Sequence, residues 1–504
     1  MSALTFDDKI KKLRPIMFVG TGSDVGKSVI AAGFCRIFKK DGFSPAPFKA
    51  QNMSLNSYVT ADGLEMGRAQ VVQAEAAGIP CQSDMNPVLL KPTNDRSSQV
   101  ILNGKAVGNQ SAYEYFMAND RRELFAAVKE AFDRLSEQYN PIVLEGAGSI
   151  SELNLKHRDI TNLRMAAHAG AATYLIADID KGGVFGSVYG TIALLSKEER
   201  ALMKGIIINK FRGDGRLFED GKRMLEELTG LPVVGLLPYF RDIHIDQEDS
   251  VSLETKFRQS TAGKVNVAVV LLRRLSNFTD FDRLESDERV NLFYSQDPAE
   301  IEKADIIIIP GSKNTIEDML AIKNNGVATA ILKSHKSGKT VIGICGGYQM
   351  MGTEISDPHG VEGSIEKIPG LGILPVATEL QNRKTTTQCS FSFLENPAQC
   401  TGYEIHMGFT KIHAAASPVA TFEDGRQDGF LLNVKTWGCY IHGILDNDHV
   451  IEFLLKPYAA SLEKPRASIH DFKEEQYNKL ADIIRQNVDM DLIYKSLIIK
   501  SEVC

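Results

Sequence analysis

Short apolar runs alternate with helical stretches along the first half of the chain. Four of these runs are rich in apolar and β-branched residues: residues 15–19, 142–144, 173–177 and 205–208. Such runs are typical of strands that are buried on both faces of a parallel sheet. Their alternation with helices predicts an α/β fold with a parallel sheet, which we assign to a first domain at residues 14–245.

The same pattern restarts after a polar stretch. Residues 246–264 are rich in Asp, Glu, Gln and Ser without an apolar period, which indicates a linker. Three strand-like runs follow: residues 265–271, 306–309 and 340–344. Residues 316–330 suit a helix between them. The tail, residues 468–500, has apolar residues at helical spacing and is expected to close a second α/β domain at residues 265–504.

Composition narrows the class of protein. The 504 residues are 43% hydrophobic and 24% charged, which is ordinary for a globular protein of two or three domains. A formal net charge of −7 without a long basic run argues against a nucleic-acid partner. No apolar stretch approaches the ~18 residues of a membrane helix, and residues 1–14 lack the apolar core of a signal peptide. The seven cysteines show no paired spacing, so a cytoplasmic location without disulfides or structural zinc is expected.

A glycine-rich loop follows the first predicted strand and precedes an apolar helix. It consists of Gly20, Thr21, Gly22, Ser23, Asp24, Val25, Gly26, Lys27 and Ser28. This order of elements predicts a P-loop, in which backbone N–H groups and the helix N-terminus surround phosphates and Lys27 adds positive charge. The standard spacing would place the first glycine at Thr21, one residue later than here. The loop therefore predicts a nucleotide site, and the alternative is an ordinary glycine-rich turn.

Other polar residues of the first domain fit the same site. Lys49 follows a second predicted strand and is a candidate contact of the nucleotide phosphates. Glu145 ends an apolar strand, where open α/β sheets hold their ligands, and with Ser28 and Asp24 it is a candidate ligand of Mg²⁺. The alternative for Glu145 is a structural salt bridge. Asn209 follows another strand and is a candidate contact of the adenine, although an ordinary strand-to-helix turn explains it nearly as well.

A cysteine stands between a strand and a helix in the second domain. The apolar run before Cys345 and the glycines around it are the cysteine counterpart of a nucleophile elbow. The helix N-terminus favours a thiolate, and the N–H groups of Gly346 and Gly311 are candidates for an oxyanion hole. A nucleophilic cysteine needs a base, for which His442 and His406 are the candidates. We favour His442, because an apolar run would deliver it to the edge of the sheet.

The second half resembles the triad-type (class I) glutamine amidotransferases, which have a flavodoxin-like fold. In this family a cysteine after Gly-x hydrolyses glutamine to glutamate and ammonia. Most members have a glutamate two residues after the histidine, but Ile444 occupies that position here. The branch that comprises the cobyric acid synthases and the cobyrinate a,c-diamide synthases shares this departure and also carries Gly-Tyr-Glu-Ile-His, as at residues 402–406. What orients His442 is left open, with Glu404 as one hypothesis.

The first half resembles the dethiobiotin-synthetase-like P-loop ATPases, and the whole chain resembles the cobyric acid synthase family. Three segments carry this resemblance: the loop at residues 20–28, Phe-Lys-Ala-Gln-Asn-Met-Ser-Leu-Asn at 48–56, and Glu-Gly-Ala-Gly-Ser at 145–149. Residues 49–56 discriminate best, because the related cobyrinate a,c-diamide synthases differ there. The resemblance implies ATP and Mg²⁺ as cofactors.

The resemblance also implies a reaction. ATP would convert the b, d, e and g carboxylates of adenosylcobyrinic acid a,c-diamide, a corrinoid, to acyl phosphates, and ammonia from glutamine would form the amides. Because ammonia in water is mostly protonated, we expect an enclosed route from Cys345 to the P-loop, and glutamine hydrolysis that waits for the other substrates. Whether the chain forms a homo-oligomer is left open.

Two further classes of function remain. The first is cobyrinate a,c-diamide synthase or another ATP-dependent amidotransferase on the same scaffold. The second has no amidation chemistry: a partitioning-type P-loop ATPase switch, or a sensor of glutamine or nucleotide. The second class does not explain the nucleophile elbow at Cys345.

Overall fold

The structure is a computed structural model that describes residues 12–93, 97–111, 121–240, 243, 245, 259–415, 417–458 and 469–499. Its strands are β1 (Ile16–Gly20), β2 (Ala46–Phe48), β3 (Gln51–Met53), β4 (Ser57–Val59), β5 (Glu65–Gly67), β6 (Val88–Pro92), β7 (Ser97–Leu102), β8 (Lys105–Ser111), β9 (Ile142–Glu145), β10 (Ala172–Asp178), β11 (Met203–Phe211), β12 (Val233–Pro238), β13 (Val265–Val270), β14 (Val290–Ser295), β15 (Ile306–Ile309), β16 (Thr340–Ile344), β17 (Glu354–Ser356), β18 (Lys367–Pro369), β19 (Val376–Phe393), β20 (Gln399–Ile412), β21 (Ala420–Phe422), β22 (Gln427–Asp428), β23 (Phe430–Asn433) and β24 (Thr436–Cys439).

Its helices are α1 (Lys27–Lys40), α2 (Arg68–Ala77), α3 (Arg121–Gln138), α4 (Leu163–Ala169), α5 (Val184–Ala193), α6 (Lys197–Leu202), α7 (Glu219–Thr229), α8 (Asp282–Glu285), α9 (Pro298–Lys303), α10 (Thr315–Asn324), α11 (Val327–Lys336), α12 (Gly346–Met351), α13 (Asp448–Leu455), α14 (Ile469–Asn487) and α15 (Met490–Leu497). Within the described ranges, no helix combines the length and apolar character that crossing a membrane requires.

The first half of the chain forms an α/β unit around a parallel sheet. Its six strands lie in the order β12-β11-β10-β1-β9-β2, and every neighbouring pair is parallel. Apolar clusters cover both faces of this sheet. The predicted fold class is therefore confirmed, and the four apolar runs fall within β1, β9, β10 and β11 apart from one residue at the start of β1.

The second half contains another predominantly parallel sheet. Its strand order is β14-β13-β15-β16-β24-β23, and only the last pair is antiparallel. Strands β15 and β16 have the predicted bounds. The single helix predicted at residues 316–330 is wrong: α10 ends before Asn325, and Gly326, at φ 86°, separates it from α11. Glycine adopts this left-handed conformation without steric cost, so it ends the first helix.

Several smaller strands were not predicted from the sequence. Strands β3, β6, β7 and β8 form a four-stranded sheet, and β4 pairs with β5. In the second half, β19 and β20 form a long antiparallel pair. Short strands such as β3 and β4 have three residues each, which is too few for an alternating pattern to stand out.

The two C-terminal helices pack on the first α/β unit, so the prediction that the tail closes the second domain is wrong. Leu480 and Ile484 of α14 are buried in one cluster with Phe34 of α1. A side chain at Gly33 would lie 2.2 Å from Ile484, so this glycine permits the close approach of α14. The apolar spacing of the tail identified a packed helix but carried no information on its partner. Residues 246–258 of the predicted linker lie outside the described residues, and the domain boundaries stay predictions.

Candidate active sites

The glycine-rich loop connects β1 to α1, as a P-loop requires. Gly26 precedes α1 with φ 97°, a left-handed conformation that glycine tolerates. Asn209, at the carboxyl end of β11, donates from Nδ2 to the carbonyl oxygen of Val25 at 2.8 Å. A side chain at Gly26 would lie 2.2 Å from that nitrogen. Asn209 therefore packs directly under the loop, and its buried Oδ1 has no hydrogen-bond partner in the described structure.

Glu145 joins the predicted phosphate-binding residues through a buried network. Its Oε1 accepts hydrogen bonds from Ser28 Oγ at 2.7 Å and from Lys49 Nζ at 2.9 Å. Its Oε2 accepts one from Gln73 Nε2 at 2.6 Å. Lys27 Nζ donates to the carbonyl oxygens of Gly22 and Gly148. The structure thus brings Ser28, Lys49 and Glu145 together at the loop, beside a cavity of about 770 Å³.

The oxygen atoms of Ser28 and Glu145 fit a Mg²⁺ ion. Magnesium keeps several waters and needs only one or two protein carboxylates besides phosphate oxygens. Among the described residues, no group of three or more His, Cys, Asp or Glu side chains is arranged to hold a metal ion. Asp24 is exposed, and its carbonyl oxygen accepts from Lys210 Nζ. Asp24 lines the same cavity as Ser28 and Glu145.

Cys345 lies at a strained turn between β16 and α12. Its φ and ψ are 51° and −108°, an unusual conformation for a residue with a side chain. The turn depends on glycine, because a side chain at Gly347 would lie 1.8 Å from the carbonyl oxygen of Ile309. Strained turns of this kind hold a nucleophile at the end of a strand. The predicted elbow is present in the structure.

His442 contacts Cys345 and a buried carboxylate that the sequence analysis did not identify. Its Nδ1 lies 2.6 Å from Asp280 Oδ2, while Asp280 Oδ1 accepts a hydrogen bond from the backbone N–H of Gly443 at 3.0 Å. Burial alone would lower the pKa of His442. The charges of Asp280 and Cys345 and its hydrogen bonds to both outweigh burial and raise this pKa to about 10. Cys345, His442 and Asp280 thus form a continuous buried triad.

The hypothesis that Glu404 orients His442 is wrong. Glu404 Oε1 lies 3.6 Å from Nε2 of His406, and its other oxygen contacts Arg426. His406 stacks on Tyr440 and lines the cavity beside Cys345, but its Nδ1 bonds to the carbonyl oxygen of Gly408. Asp280 precedes His442 by 162 residues, so no local spacing could indicate the pair. The sequence offered one indication of Asp280, namely a carboxylate within the aromatic segment Phe278–Phe281.

The turn that follows β15 lies against the elbow. A side chain at Gly311 would lie 2.9 Å from Cε1 of His442, and one at Gly346 would lie 2.8 Å from the backbone nitrogen of Ser312. The turn is fixed by Ser276, whose N–H donates to the carbonyl oxygen of Gly311 at 3.0 Å. Both predicted oxyanion-hole glycines are therefore next to the triad.

The first α/β unit contacts the turn that carries Asp280. The backbone N–H of Ser57 donates to Asn277 Oδ1 at 3.1 Å, and Thr279 Oγ1 donates to Asn56 Oδ1 at 3.2 Å. Tyr403, whose ring stacks on His442, donates its hydroxyl to the carbonyl oxygen of Ser57. The segment that begins at Lys49 beside the P-loop thus ends against the triad.

Comparison with known proteins agrees with this architecture. Residues 16–252 match the CobQ/CobB/MinD/ParA nucleotide binding domain. Residues 266–450 match the CobB/CobQ-like glutamine amidotransferase domain. The fold and these matches define a class of protein in which a nucleotide-binding unit is joined to a glutamine amidotransferase unit.

Full-length relatives identify the family within that class. The chain is 62% identical over 490 residues to a cobyric acid synthase of Parabacteroides distasonis, which covers 96% of this chain and 99% of the relative. It is 60% identical over 489 residues to a cobyric acid synthase of Bacteroides fragilis, and this match covers 97% of this chain and 99% of the relative. A solved glutamine amidotransferase covers 38% of this chain and 97% of its own, at 14% identity and a TM-score of 0.30. The chain belongs to the cobyric acid synthase family and is a glutamine-dependent carbon–nitrogen ligase.

Proposed function

We propose that this chain amidates the b, d, e and g carboxylates of adenosylcobyrinic acid a,c-diamide with ammonia from glutamine and energy from ATP. The observation that carries the proposal is the 62% identity to a cobyric acid synthase over 96% of the chain. The triad at Cys345 and the P-loop at Lys27 supply the two chemistries that such an amidation needs. The product would be adenosylcobyric acid.

The triad carries out the hydrolysis of glutamine. Cys345 Sγ attacks the amide carbon, and the N–H groups of Gly346 and Gly311 stabilise the negative charge that develops on the oxygen. His442, held by Asp280, transfers a proton to the departing nitrogen, so ammonia leaves and a thioester remains on Cys345. Water then hydrolyses the thioester to glutamate and restores the cysteine.

The P-loop unit activates the corrinoid carboxylate. Backbone N–H groups of residues 20–28 and the ammonium of Lys27 hold the phosphates, and Lys49 adds a second positive charge. Ser28 and Glu145 would hold Mg²⁺, which neutralises phosphate charge when bound, and Asp24 stays a weaker candidate ligand. Asn209 stays a candidate contact of the adenine. A corrinoid carboxylate attacks the γ-phosphorus of ATP, which releases ADP and leaves an acyl phosphate. Ammonia then attacks the acyl carbon and displaces phosphate, and the amide remains.

The enclosed route for ammonia stays a prediction. The cavity beside Cys345 and the cavity at the P-loop share no lining residue. The four-stranded sheet lies between them, since Asn52 and Met53 of β3 line the P-loop cavity and Lys91 of β6 lines the other. A route would have to open across this sheet. A cytoplasmic location, where ATP and glutamine are available, is likewise a prediction.

Mass spectrometry of the product tests the substrate assignment. The chain is incubated with ATP, Mg²⁺, glutamine and either adenosylcobyrinic acid a,c-diamide or the unamidated adenosylcobyrinic acid. We expect stepwise mass increases on the diamide that end at four new amides. Amidation of only two carboxylates, and only on the unamidated acid, would indicate the a,c-diamide synthase reaction instead.

A further inference from the structure

Two lysines, one buried and one largely buried, share one carboxylate at the contact between the two halves of the chain. Lys91 Nζ lies 2.7 Å from Glu65 Oε1, and Lys384 Nζ bonds to the other oxygen of the same carboxylate. Lys91 and Glu65 belong to β6 and β5 of the first unit, and Lys384 belongs to β19 of the second. The side chains of Lys91 and Glu65 are 5% and 2% exposed, and that of Lys384 is 13% exposed. One positive charge in this trio therefore has no counter-charge within it.

Each ammonium retains hydrogen-bonding capacity. Lys91 Nζ also donates to Ser57 Oγ at 2.8 Å, and Lys384 Nζ donates to Gln99 Oε1 at 3.3 Å. An ammonium has three N–H donors, and two are used in each lysine by the described contacts. A buried positive charge without a partner is costly, so such a pair favours an anionic ligand between the two donors.

The excess charge faces the proposed nucleophile. Lys91, Lys384 and Cys345 line one cavity of about 60 Å³. Lys313 and Glu362 also line it, and burial opposes the charge of both, because it lowers the pKa of Lys313 and raises the pKa of Glu362 to about 7. The volume corresponds to about two water molecules, so an amino acid must widen the contact between the two halves when it binds.

An irregular strand directs Lys384 into this cavity. Leu380 pairs with Gly408 and Thr385 pairs with His406, so four residues of β19 oppose the single Met407 of β20. Bulges of this kind redirect side chains and are frequent beside active sites. The irregularity places the lysine beside His406, which lines the same cavity.

We propose that Lys384 and Lys91 bind the α-carboxylate of glutamine while its amide carbon lies at Cys345 Sγ. The α-carboxylate and the amide are at opposite ends of glutamine, and a single carboxylate between two ammonium groups balances the excess charge. The inference rests on the proposed glutaminase activity of Cys345. It makes a lysine of the nucleotide-binding unit part of the glutamine site.

This arrangement also links glutamine binding to the first unit. Lys91 follows Leu90, which pairs with Met53 of β3, and Met53 lines the cavity at the P-loop. Lys91 is therefore one strand away from the residues that line the nucleotide site.

Kinetics of Lys384→Met and Lys91→Met test the subsite. Either variant leaves Glu65 paired with the remaining lysine, which favours retention of the fold. Glutamate release is measured with glutamine, and release of 4-aminobutanoate is measured with 4-aminobutanamide, the analogue that lacks the α-carboxylate. We expect kcat/KM for glutamine to fall about tenfold or more, mainly through KM, because a charge-assisted hydrogen bond is lost. For 4-aminobutanamide, kcat/KM of the variants should stay within about twofold of the wild-type value, because this analogue has no α-carboxylate for the lysines to bind.

Matched variants separate this role from general damage. Lys384→Arg retains a cation and should recover most of the glutamine affinity, and Lys411→Met removes an exposed lysine of β20 and should behave as wild type. Ammonium-dependent amidation should persist in all four variants. An unchanged KM for glutamine, or an equal loss on both amides, would overturn the subsite. A wild-type enzyme that hydrolyses no glutamine with all substrates present would instead remove the glutaminase proposal itself.

Discussion

The residue that positions His442 lies far from it in sequence. Most triad-type glutamine amidotransferases have a glutamate two residues after the histidine. In this chain that position is Ile444, which is fully buried. Asp280 supplies the carboxylate from a turn after β13 and bonds both to His442 Nδ1 and to the backbone of Gly443. The elbow at Cys345 was predictable because its glycines are adjacent to it in sequence. The role of Asp280 could be identified only from the folded structure, which brings it next to His442.

Replacement of Asp280 by Asn should abolish most glutamine hydrolysis. The amide cannot hold His442 in the same tautomer or stabilise its positive charge, so kcat for glutamate release should fall by about 100-fold or more. Ammonium-dependent amidation should remain within about twofold of wild type, because the P-loop site is distant. Glu404→Gln is the matched control and should retain hydrolysis, since Glu404 contacts His406. Equal losses in the two variants would contradict the role of Asp280.

The same substitution should slow the reaction of Cys345 with electrophiles at neutral pH. In the wild type the pKa of His442 is raised to about 10, so its positive charge persists at neutral pH and favours the thiolate.

This charge also stabilises the folded state: the effect is complete below about pH 6.5, the ordinary pKa of histidine, and is lost as pH rises towards 10. Without the charge of Asp280, the largest of the causes that raise the pKa of His442 is lost, while burial still lowers it.

Alkylation of Cys345 by iodoacetamide measures this effect. At pH 7 we expect a rate about tenfold or more lower in Asp280→Asn than in wild type. Peptide mass spectrometry separates Cys345 from the other cysteines. Equal rates in the two proteins would show that Asp280 does not sustain the charge of His442.

At the scale of elements, apolar runs predicted the strands that form the centres of the two large sheets. They failed for strands of three residues such as β3 and β4, and for the break at Gly326, where one glycine decides between one helix and two. The tail was identified as helical from its spacing. Its packing on α1 depends on complementary surfaces of distant segments, and a periodic pattern does not report these.

The packing of α14 on α1 predicts that the tail stabilises the nucleotide-binding unit. Leu480 is fully buried against α1, so Leu480→Ala should destabilise that unit by about 2–5 kcal/mol. Thermal unfolding with and without ATP should show a lower midpoint for the transition that the nucleotide shifts. Leu492→Ala, at a residue of α15 that is 40% exposed, is the control and should have little effect. A loss confined to a transition that ATP does not shift would contradict this assignment.

At the scale of the whole molecule, one segment connects the two active sites. It begins at Lys49, which bonds to Glu145, and ends at Ser57, which bonds to the turn of Asp280 through Asn277. The resemblance singled out residues 49–56 as the most discriminating part of the chain, and the structure shows that they lie between the sites. Contacts of this kind provide a physical path by which glutamine hydrolysis could wait for the other substrates.

The central claim is that Cys345 produces the ammonia that the P-loop unit consumes. Its most direct test is amide formation on adenosylcobyrinic acid a,c-diamide by Cys345→Ser, with ATP and either glutamine or ammonium as the nitrogen source. We expect no amide from glutamine and the full series of amides from ammonium. Amidation from glutamine by this variant, or no amidation from ammonium although the wild type uses it, would contradict two separate sites joined in one chain.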